Sequence, residues 1–516
     1  MKNSLPQNNY LYSIEPKSPD AYNLAMGFPA CEAFALSSLG YLWLQKKLNE
    51  NSNINLTSIY TDSEKLPNKN NIDAISFSIS YEMDFMGVFE ILEKLNIPIF
   101  AEEREKTLIF AGGPVITSNP TPFAKILDFC LIGDGEDLIL QVLELLAKTK
   151  ELSKKEILEK LTQIEGVYVP SLKNKAKKIT APLNECIYTP ILSDKAYFSN
   201  TFIIEVERGC YNRCGFCLAS YLNLPVRYVD YEEIINKIEF GLQYTKNIAL
   251  LGAQVSAHPR FEDICNYFID KIEAGENINI NFSSLRIDAI TDNVIKLLKI
   301  SGQKTFTVAI EAGTERLRKV INKNVNEEQL FKAMECAYNG GMRGVKVYCM
   351  LGLPTETTQD IEGFIELAKR LKTFKKGFEI TFSFSTFVPK PHTPFQWCAR
   401  ENSADLEKKQ KFLTKELAKL GIKTKFSSPK WDFYQTLISR GDDTLGEFLY
   451  QVYKRGGKLG DYKSVAKELK INTELFTTRN YDLEETLPWD NIIIEHPGKD
   501  LLKKEFYRLM KRADLE

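Results

Sequence analysis

The chain has 516 residues, with 67 Lys plus Arg against 68 Asp plus Glu and an apolar fraction of 44 %. That length exceeds one hydrophobic core, so two or three domains are expected; the balanced charge excludes a net field steering the protein to nucleic acid, although a local basic face could still bind RNA. The opening MKNSLPQNNYLYS is polar and no window nears the ~20 apolar residues of a membrane span, so a cytoplasmic protein without membrane attachment is expected.

Up to about residue 190, short apolar runs alternate with amphipathic ones: AYNLAMGFP, FALSSLGYLWLQKKL, AISFSIS, MGVFEILEKLN, TLIFAGGP, DFCLIGDG and EDLILQVLELLAK. Strand-like runs followed by a 3.6-residue period predict βαβ units and a parallel, Rossmann-like sheet. Gly112 and Gly113 follow one predicted strand, Gly133 and Gly135 another, at the carboxyl ends where open α/β sheets bind ligands; turn geometry alone also selects glycine there. Residues 151–195, with a charged helix, the short strand GVYVP and the Lys-rich LKNKAKK, read as an interdomain linker.

A second βα series runs through NTFIIEVE, NIALLGA, INFSSLR, TFTVAIEAG, GVKVYCMLG and FEITFSFSTFVPK. Six such strands predict a partial or full parallel β/α barrel with its site at the strand carboxyl ends. Beyond about residue 425 the pattern changes to helices of mixed charge with aromatics, placed to cover the barrel or meet substrate. The expected fold class is therefore α/β, divided into a Rossmann-like domain (1–190), a barrel (191–425) and a mainly helical C-terminal region (426–516).

Ten cysteines in a long cytosolic chain are not a disulfide framework, because thiols there stay reduced. Cys210, Cys214 and Cys217 form a C-x3-C-x2-C array in ERGCYNRCGFCLASY, just after the strand FIIEV. With a Cys frequency near 0.02, this spacing arises by chance only about 0.004 times in such a chain. Three thiolates on a cubane cluster leave one iron without a protein ligand, unlike the four-Cys ligation of electron-transfer clusters. The competing structural zinc site needs a fourth ligand, and His258, His392 and His496 are distant in sequence.

The array, with Phe216 before Cys217, resembles the signature of the radical S-adenosylmethionine (SAM) superfamily. The resemblance implies a [4Fe-4S] cluster on the three cysteines, SAM bound at the open iron, and an electron donor of the flavodoxin or ferredoxin type. It further implies SAM contacts at Phe216, at Gly252 and Gln254 in IALLGAQVS, at Ser284 and Arg286 in INFSSLR, and at Glu311 in TVAIEAG. Gly252 and Gln254 stand where Gly-Glu is common in the family. Glu311 also reads as one half of an ion pair with Arg286, Arg316 or Arg318. In GLPTETTQD, Pro354 stiffens a turn and Thr357 or Thr358 plus Asp360 can cap the next helix.

FSTFVPKPHTPFQW resembles a segment of B12-domain-type and methylthiotransferase-like radical SAM proteins. Its prolines predict a mouth-lining loop presenting Lys390, His392 and Gln396 to substrate, and His392 and Cys398 are the weak catalytic candidates; a loop hydrogen bond and an inert buried thiol are their ordinary alternatives.

The N-terminal segments GFPACEAFALSSLGYLWLQKKLN and LIFAGGPVITSNPTPFAKILDFCLIGDGED resemble a B12-binding domain in an uncharacterised radical SAM family. Cobalamin is accordingly a candidate second cofactor, with Gly112, Gly113 and Gly133 as the residues allowing its approach. The domain holds no histidine, so it lacks the Asp-x-His-x-x-Gly axial ligand.

The expected function is SAM cleavage followed by hydrogen abstraction, methyl transfer or sulfur transfer on an unidentified substrate, RNA included. Alternatives are a methylthiotransferase-like RNA or protein modification enzyme, a non-catalytic Fe-S or cobalamin-binding protein, and a zinc-stabilised nucleic-acid binder. The methylthiotransferase reading asks Cys31, Cys130 and Cys186 to converge on a second cluster.

Overall fold

The computed structural model describes residues 8–283, 285–374 and 377–514. Near the N-terminus, β1 (Tyr22–Phe28), β2 (Ile54–Tyr60), β3 (Ala74–Ser78), β4 (Leu108–Gly112), β5 (Phe129–Leu131) and β6 (Val167–Tyr168) form one sheet in the order β2-β1-β3-β4-β5-β6. All neighbours are parallel except β5 and β6. Successive side chains of a strand point to opposite faces, so both faces must be covered. Ile75, Ile109, Ala111 and Cys130 enter one core, while Leu108, Phe110, Phe129 and Leu131 enter the other.

The second core is closed by α1 (Leu39–Asn49) and α2 (Leu138–Lys148). In α2 the buried residues Leu138, Ile139, Val142, Leu143 and Leu146 recur at three- and four-residue spacing, which makes one apolar stripe. The first core is closed from far along the sequence. Leu437 and Ile438, with Leu445, Phe448, Leu449, Val452, Tyr462 and Val465, pack against Phe85, Val88 and Phe89 of the local helix. Much of the C-terminal region therefore completes a layer of the N-terminal sheet.

One strand of this sheet escapes the sequence reading. β2 lies at the sheet edge with only Ile54 and Ile59 buried, so it lacks an apolar run. The segment read as a linker is tied in at both sides: β6 pairs with β5, and Ala176–Lys177 pairs with Ile492–Ile493.

The barrel strands are β7 (Thr201–Glu205), β8 (Asn247–Leu251), β9 (Asn279–Phe282), β10 (Thr305–Glu311), β11 (Gly344–Leu351), β12 (Glu379–Thr386) and an unanticipated, exposed β13 (Lys423–Phe426). They form two parallel sheets, β7-β8-β9 and β10-β11-β12-β13. Their outer faces, including Phe306, Val308, Val345, Val347, Ile380 and Phe382, pack into the largest core. Asp360 accepts hydrogen bonds from the Thr357 amide and hydroxyl, both at 2.8 Å, and so caps the helix Thr358–Phe374 as expected. No described helix is long and apolar enough to cross a membrane. Parallel alignment brings the carboxyl ends of β7 to β12 to one rim, and the cysteine array leaves from the first of them.

Candidate functional site

After β7 the chain makes a short antiparallel pair, Glu207–Arg208 with Arg227–Tyr228, which pins the base of an excursion carrying all three cysteines. Gly209 sits at φ +97°, and a Cβ there would lie 2.5 Å from the Asn223 carbonyl oxygen. Only glycine meets both demands. The loop is fixed by backbone bonds: the Gly215 amide donates to Ile321 O at 2.9 Å, the Cys217 amide to Cys214 O at 2.9 Å, and the Phe395 amide to Gly215 O at 3.2 Å.

Cys214 is buried, whereas Cys210 and Cys217 are half-buried. Burial pushes the Cys214 thiol up to about 12; the Lys323 ammonium opposes this, while Cys217, Glu311 and Cys210 add to it. The three thiols, Glu311 and Lys323 thus form one electrostatic neighbourhood. Lys323 Nζ donates to Glu311 Oε1 at 3.1 Å. Burial works against the lysine's charge, yet Glu311 and Cys214 outweigh it and hold its pKa above the ordinary value. Glu311 itself adopts φ +65° at the end of β10, a conformation that costs about 1–3 kcal/mol for a non-glycine residue. The arginines expected beside Glu311 are engaged elsewhere: Arg286 with Asp288, Arg316 with Asp360 and Arg318 with Glu327. The partner of Glu311 is Lys323, which sequence reasoning missed.

A second chain of contacts starts at Cys210. Asn212 Nδ2 donates to Cys210 Sγ at 3.2 Å and to Gln254 Oε1, and its Oδ1 accepts from Arg286 Nη1 at 2.6 Å. Arg286 Nη2 also donates to Asn324 O at 3.0 Å. The predicted Gln254 and Arg286 therefore meet the cysteine loop through Asn212, an unflagged residue inside the motif itself. Gln254 N donates to Glu207, whose carboxyl is raised to about 7 by burial and whose Oε2 is buried without a partner. A Cβ on Gly252 would lie 2.4 Å from Glu207 Cγ, so this glycine is demanded by the packing under the loop. Phe216 is partly buried in an apolar cluster with Leu317, Phe395 and Leu509. Ser284 lies outside the described residues; its neighbour Ser283 accepts from Gly252 N at 3.2 Å.

Among the described residues, no three or more His, Cys, Asp or Glu side chains gather as a ready site for a single metal ion. Both ring nitrogens of His258 are used by backbone, Nε2 with Val229 O at 2.9 Å and Nδ1 with Arg260 N at 3.1 Å.

The expected mouth-lining loop is corrected by the structure. His392, Gln396 and Cys398 are buried. Gln396 Oε1 accepts from His392 N at 2.9 Å and from the Trp489 indole at 2.8 Å, and Lys390 pairs with Glu82 of the N-terminal domain. Burial pushes the His392 ring down to about 4; its neighbours Asp490, Ser118 and Lys499 all lie outside the cysteine loop. The Cys398 thiol is pushed up to about 12 by burial. Fixed φ at the prolines turns this segment inward, where it bolts three regions together.

A cavity of about 380 Å³ lies between the carboxyl ends of β1, β3, β4 and β5 and the barrel rim at Glu205, Arg208 and Leu251. Gly112, Gly113 and Gly133 are among the residues that line it. Gly113 (φ +107°) and Gly133 (φ +106°) are required by backbone alone, since a Cβ would stand 2.5 Å from Ile79 O and 2.2 Å from Ile179 O. At Gly112 a Cβ would make only ordinary contacts, at 3.6 Å. Glu136 Oε2 and Ser76 Oγ on its wall are buried and unpartnered. Arg208 joins Glu205, Asp134 and Glu136 at 2.7, 3.0 and 2.8 Å, tying this wall to the segment two residues before Cys210.

Comparison with known proteins agrees with this layout. Residues 43–170 match the family model for the N-terminal region of radical SAM proteins, and residues 204–368 match that of the radical SAM superfamily. An uncharacterized protein of Methanocaldococcus jannaschii is 30 % identical over 436 residues, covering 83 % of this chain and 90 % of that one. An uncharacterized methyltransferase of Pyrococcus horikoshii is 23 % identical, covering 64 % and 73 %, and a tRNA-2-methylthio-N(6)-dimethylallyladenosine synthase of Chlorobium phaeobacteroides is 22 % identical, covering 40 % and 47 %. Among solved structures, the cobalamin-dependent radical enzyme OxsB, with aqua-cobalamin and SAM bound, shares the fold at a TM-score of 0.52 and 12 % identity, covering 96 % of this chain and 80 % of that one. With both its N-terminal domain and its barrel matched, the chain belongs to the radical SAM superfamily and is an enzyme of that class.

Proposed function

We propose that Cys210, Cys214 and Cys217 hold a [4Fe-4S] cluster and that the enzyme cleaves SAM reductively to act on a substrate not yet identified. The observation that carries this reading is the C-x3-C-x2-C array on one loop at the barrel rim, with Cys214 in the electrostatic neighbourhood of the other two thiols and of the half-buried Lys323–Glu311 pair. When bound, such a cluster binds SAM at its open iron and supplies the electron that breaks the sulfonium bond. The chain's own part is to orient and exclude water. Asn212 holds Cys210 and Gln254 in register, Arg286 fixes Asn212, and the Lys323 ammonium lowers the free energy of thiolates in a buried setting. Gln254 and Arg286 meet the cysteine loop through Asn212, Glu311 adds its charge beside Cys214, and Phe216 packs on the apolar side; with Gly252 beneath the loop these are the residues that would meet SAM. The reductant of this family would here be a flavodoxin- or ferredoxin-type protein, in the cytoplasm.

Anaerobic reconstitution with iron and sulfide, followed by dithionite and SAM, tests the reading. A brown protein that releases 5'-deoxyadenosine is expected, and a Cys214→Ala variant lacking both the ~400 nm band and the product. Colourless protein with one bound zinc would overturn it.

Methyl transfer is the favoured outcome of the radical reaction, supported by the relative described as a methyltransferase and by the cavity between sheet and barrel. That cavity's unpartnered Glu136 Oε2 and Ser76 Oγ, with Gly112 on its wall, suit a polar-edged ligand such as cobalamin, for which the domain supplies no histidine ligand. Absorbance of anaerobically purified protein supplied with hydroxocobalamin tests this second cofactor. Sulfur transfer through a second cluster is disfavoured: Cys130 and Cys186 are buried in different cores, and Cys31 sits at a helix start on the opposite face of the sheet from Cys130.

A further inference from the structure

The last helix, α3 (Lys499–Lys511), lies against the outside of the cysteine loop. Leu509, fully buried, reaches Gly215, where a Cβ would stand 2.8 Å from both Leu509 Cδ1 and the Phe395 ring. Glycine at position 215 is therefore what allows the helix to close on the motif.

Among the described residues, the polar contacts from this helix and its C-cap Arg512 reach the loop through one residue. Asn322, buried and at φ +57°, donates from Nδ2 to the carbonyls of Asn212 at 2.9 Å and Arg213 at 3.0 Å, both inside C-x3-C. Its Oδ1 accepts from Arg512 Nη1 at 3.0 Å and Arg508 Nη2 at 3.4 Å. Arg512 Nη1 also donates to Lys319 O at 2.7 Å, which anchors the arginine independently of Asn322. Arg508 is held at its other side by Glu505 at 2.6 Å. The amide is thus saturated, two donors out to the loop and one oxygen gripped by two cations. It is conformationally fixed from the C-terminal side and spent on the loop backbone.

We propose that α3 and Asn322 act as a lock on the cysteine loop, with Asn322 the positioning residue and Arg508 and Arg512 the residues that aim it. Arg213 itself sits at φ +48°, so the turn between Cys210 and Cys214 is held in an unfavourable backbone conformation. The two carbonyl bonds from Asn322 oppose its relaxation. Without them the Cys210 and Cys214 backbones separate more readily, and a cluster held there is released faster. This proposal rests on the cluster reading above, but its structural half concerns the loop alone.

Asn322→Asp separates the two functions of the amide. A carboxylate keeps the oxygen facing Arg508 and Arg512 and gains charge with them, so the fold is retained, while both donors to the loop are lost. In cluster-free protein, hydrogen exchange of the 210–217 segment is expected to quicken about tenfold, the scale of one or two lost hydrogen bonds, with a modest fall in the thermal midpoint because two loop carbonyls are left facing a carboxylate oxygen. In reconstituted protein, iron release to a chelator should quicken by a similar factor, and the EPR line shape of the reduced cluster should change. Arg512→Gln is expected to give a smaller effect in the same direction, about threefold, and decides the matter if Asn322→Asp does not fold. Exchange and iron release within twofold of wild type in the folded variants would overturn the lock. Wild-type protein that takes up no iron would instead overturn the cluster reading, leaving the exchange measurement to judge the lock.

Discussion

The cysteine loop, residues 209–217, and the proline-rich segment, residues 385–398, both carry residue types that do chemistry, and both lie beyond the end of a barrel strand. Their fates differ. In the first, side chains meet one another: thiols, Asn212, Gln254, Arg286, Lys323 and Glu311 share one neighbourhood. In the second, Lys390 is committed to Glu82 and Gln396 to Trp489, while His392 Nε2 and Trp397 Nε1 are buried without a partner. Repeated identical ligands at a fixed spacing carry chemical information because the spacing is required by the ligand. A lone His or Lys among prolines does not.

The contrast is broken most directly at the cysteines. Cys217→Ala should lower 5'-deoxyadenosine formation by at least about a hundredfold while leaving the apo-protein's thermal midpoint within about 2 °C, because a half-buried thiol contributes little packing. Comparable loss from a His392→Gln variant that folds normally would place chemistry in the second segment instead.

His392 should reveal itself through pH. Its folded-state pKa is lowered to about 4 by burial, below the ordinary 6.5, so the unfolded chain binds the proton more tightly. Stability is then fully present above about pH 6.5 and falls as pH drops towards 4, by up to about 3 kcal/mol over that window. Urea midpoints of the apo-protein between pH 4.5 and 7 should show this slope, and His392→Gln should flatten it. A slope unchanged in the variant would mean that other groups dominate.

Much of the fold was legible, and the reasons are visible in particular residues. The principal barrel strands declare themselves by an apolar run, alternating in burial as in Phe306, Val308 and Ile310, or continuous as in Phe202, Ile203 and Ile204 of β7. β2 and β13 are edge strands that bury two residues and none, so no period marks them. The Cys array was readable from spacing. Asn322 and Lys323 were not, since each is a single polar residue: Asn322 takes its meaning from a loop more than a hundred positions away, and Lys323 from Glu311 twelve positions back and from Cys214. Equally hidden was the partnership of Phe448 and Tyr462 with Phe85 and Phe89, because aromatic helices of mixed charge name no partner.

Gln396→Leu probes the bolt itself. The substitution strands two buried donors, the His392 amide and the Trp489 indole, and should destabilise by about 2 kcal/mol, read as a fall in the urea midpoint with SAM cleavage per folded molecule unchanged.

The smallest expected effect separates the two meanings of glycine at the sheet's carboxyl ends. Gly133→Ala would set a Cβ 2.2 Å from Ile179 O at φ +106°, so it is expected to cost several kcal/mol whatever the cavity holds. Gly112→Ala meets nothing closer than 3.6 Å and should change stability by no more than about 0.5 kcal/mol. Its methyl group points attention to the cavity alone: a near-neutral midpoint with weakened hydroxocobalamin binding would support a ligand there, whereas unchanged binding would show that Gly112, like its neighbours, serves only the turn.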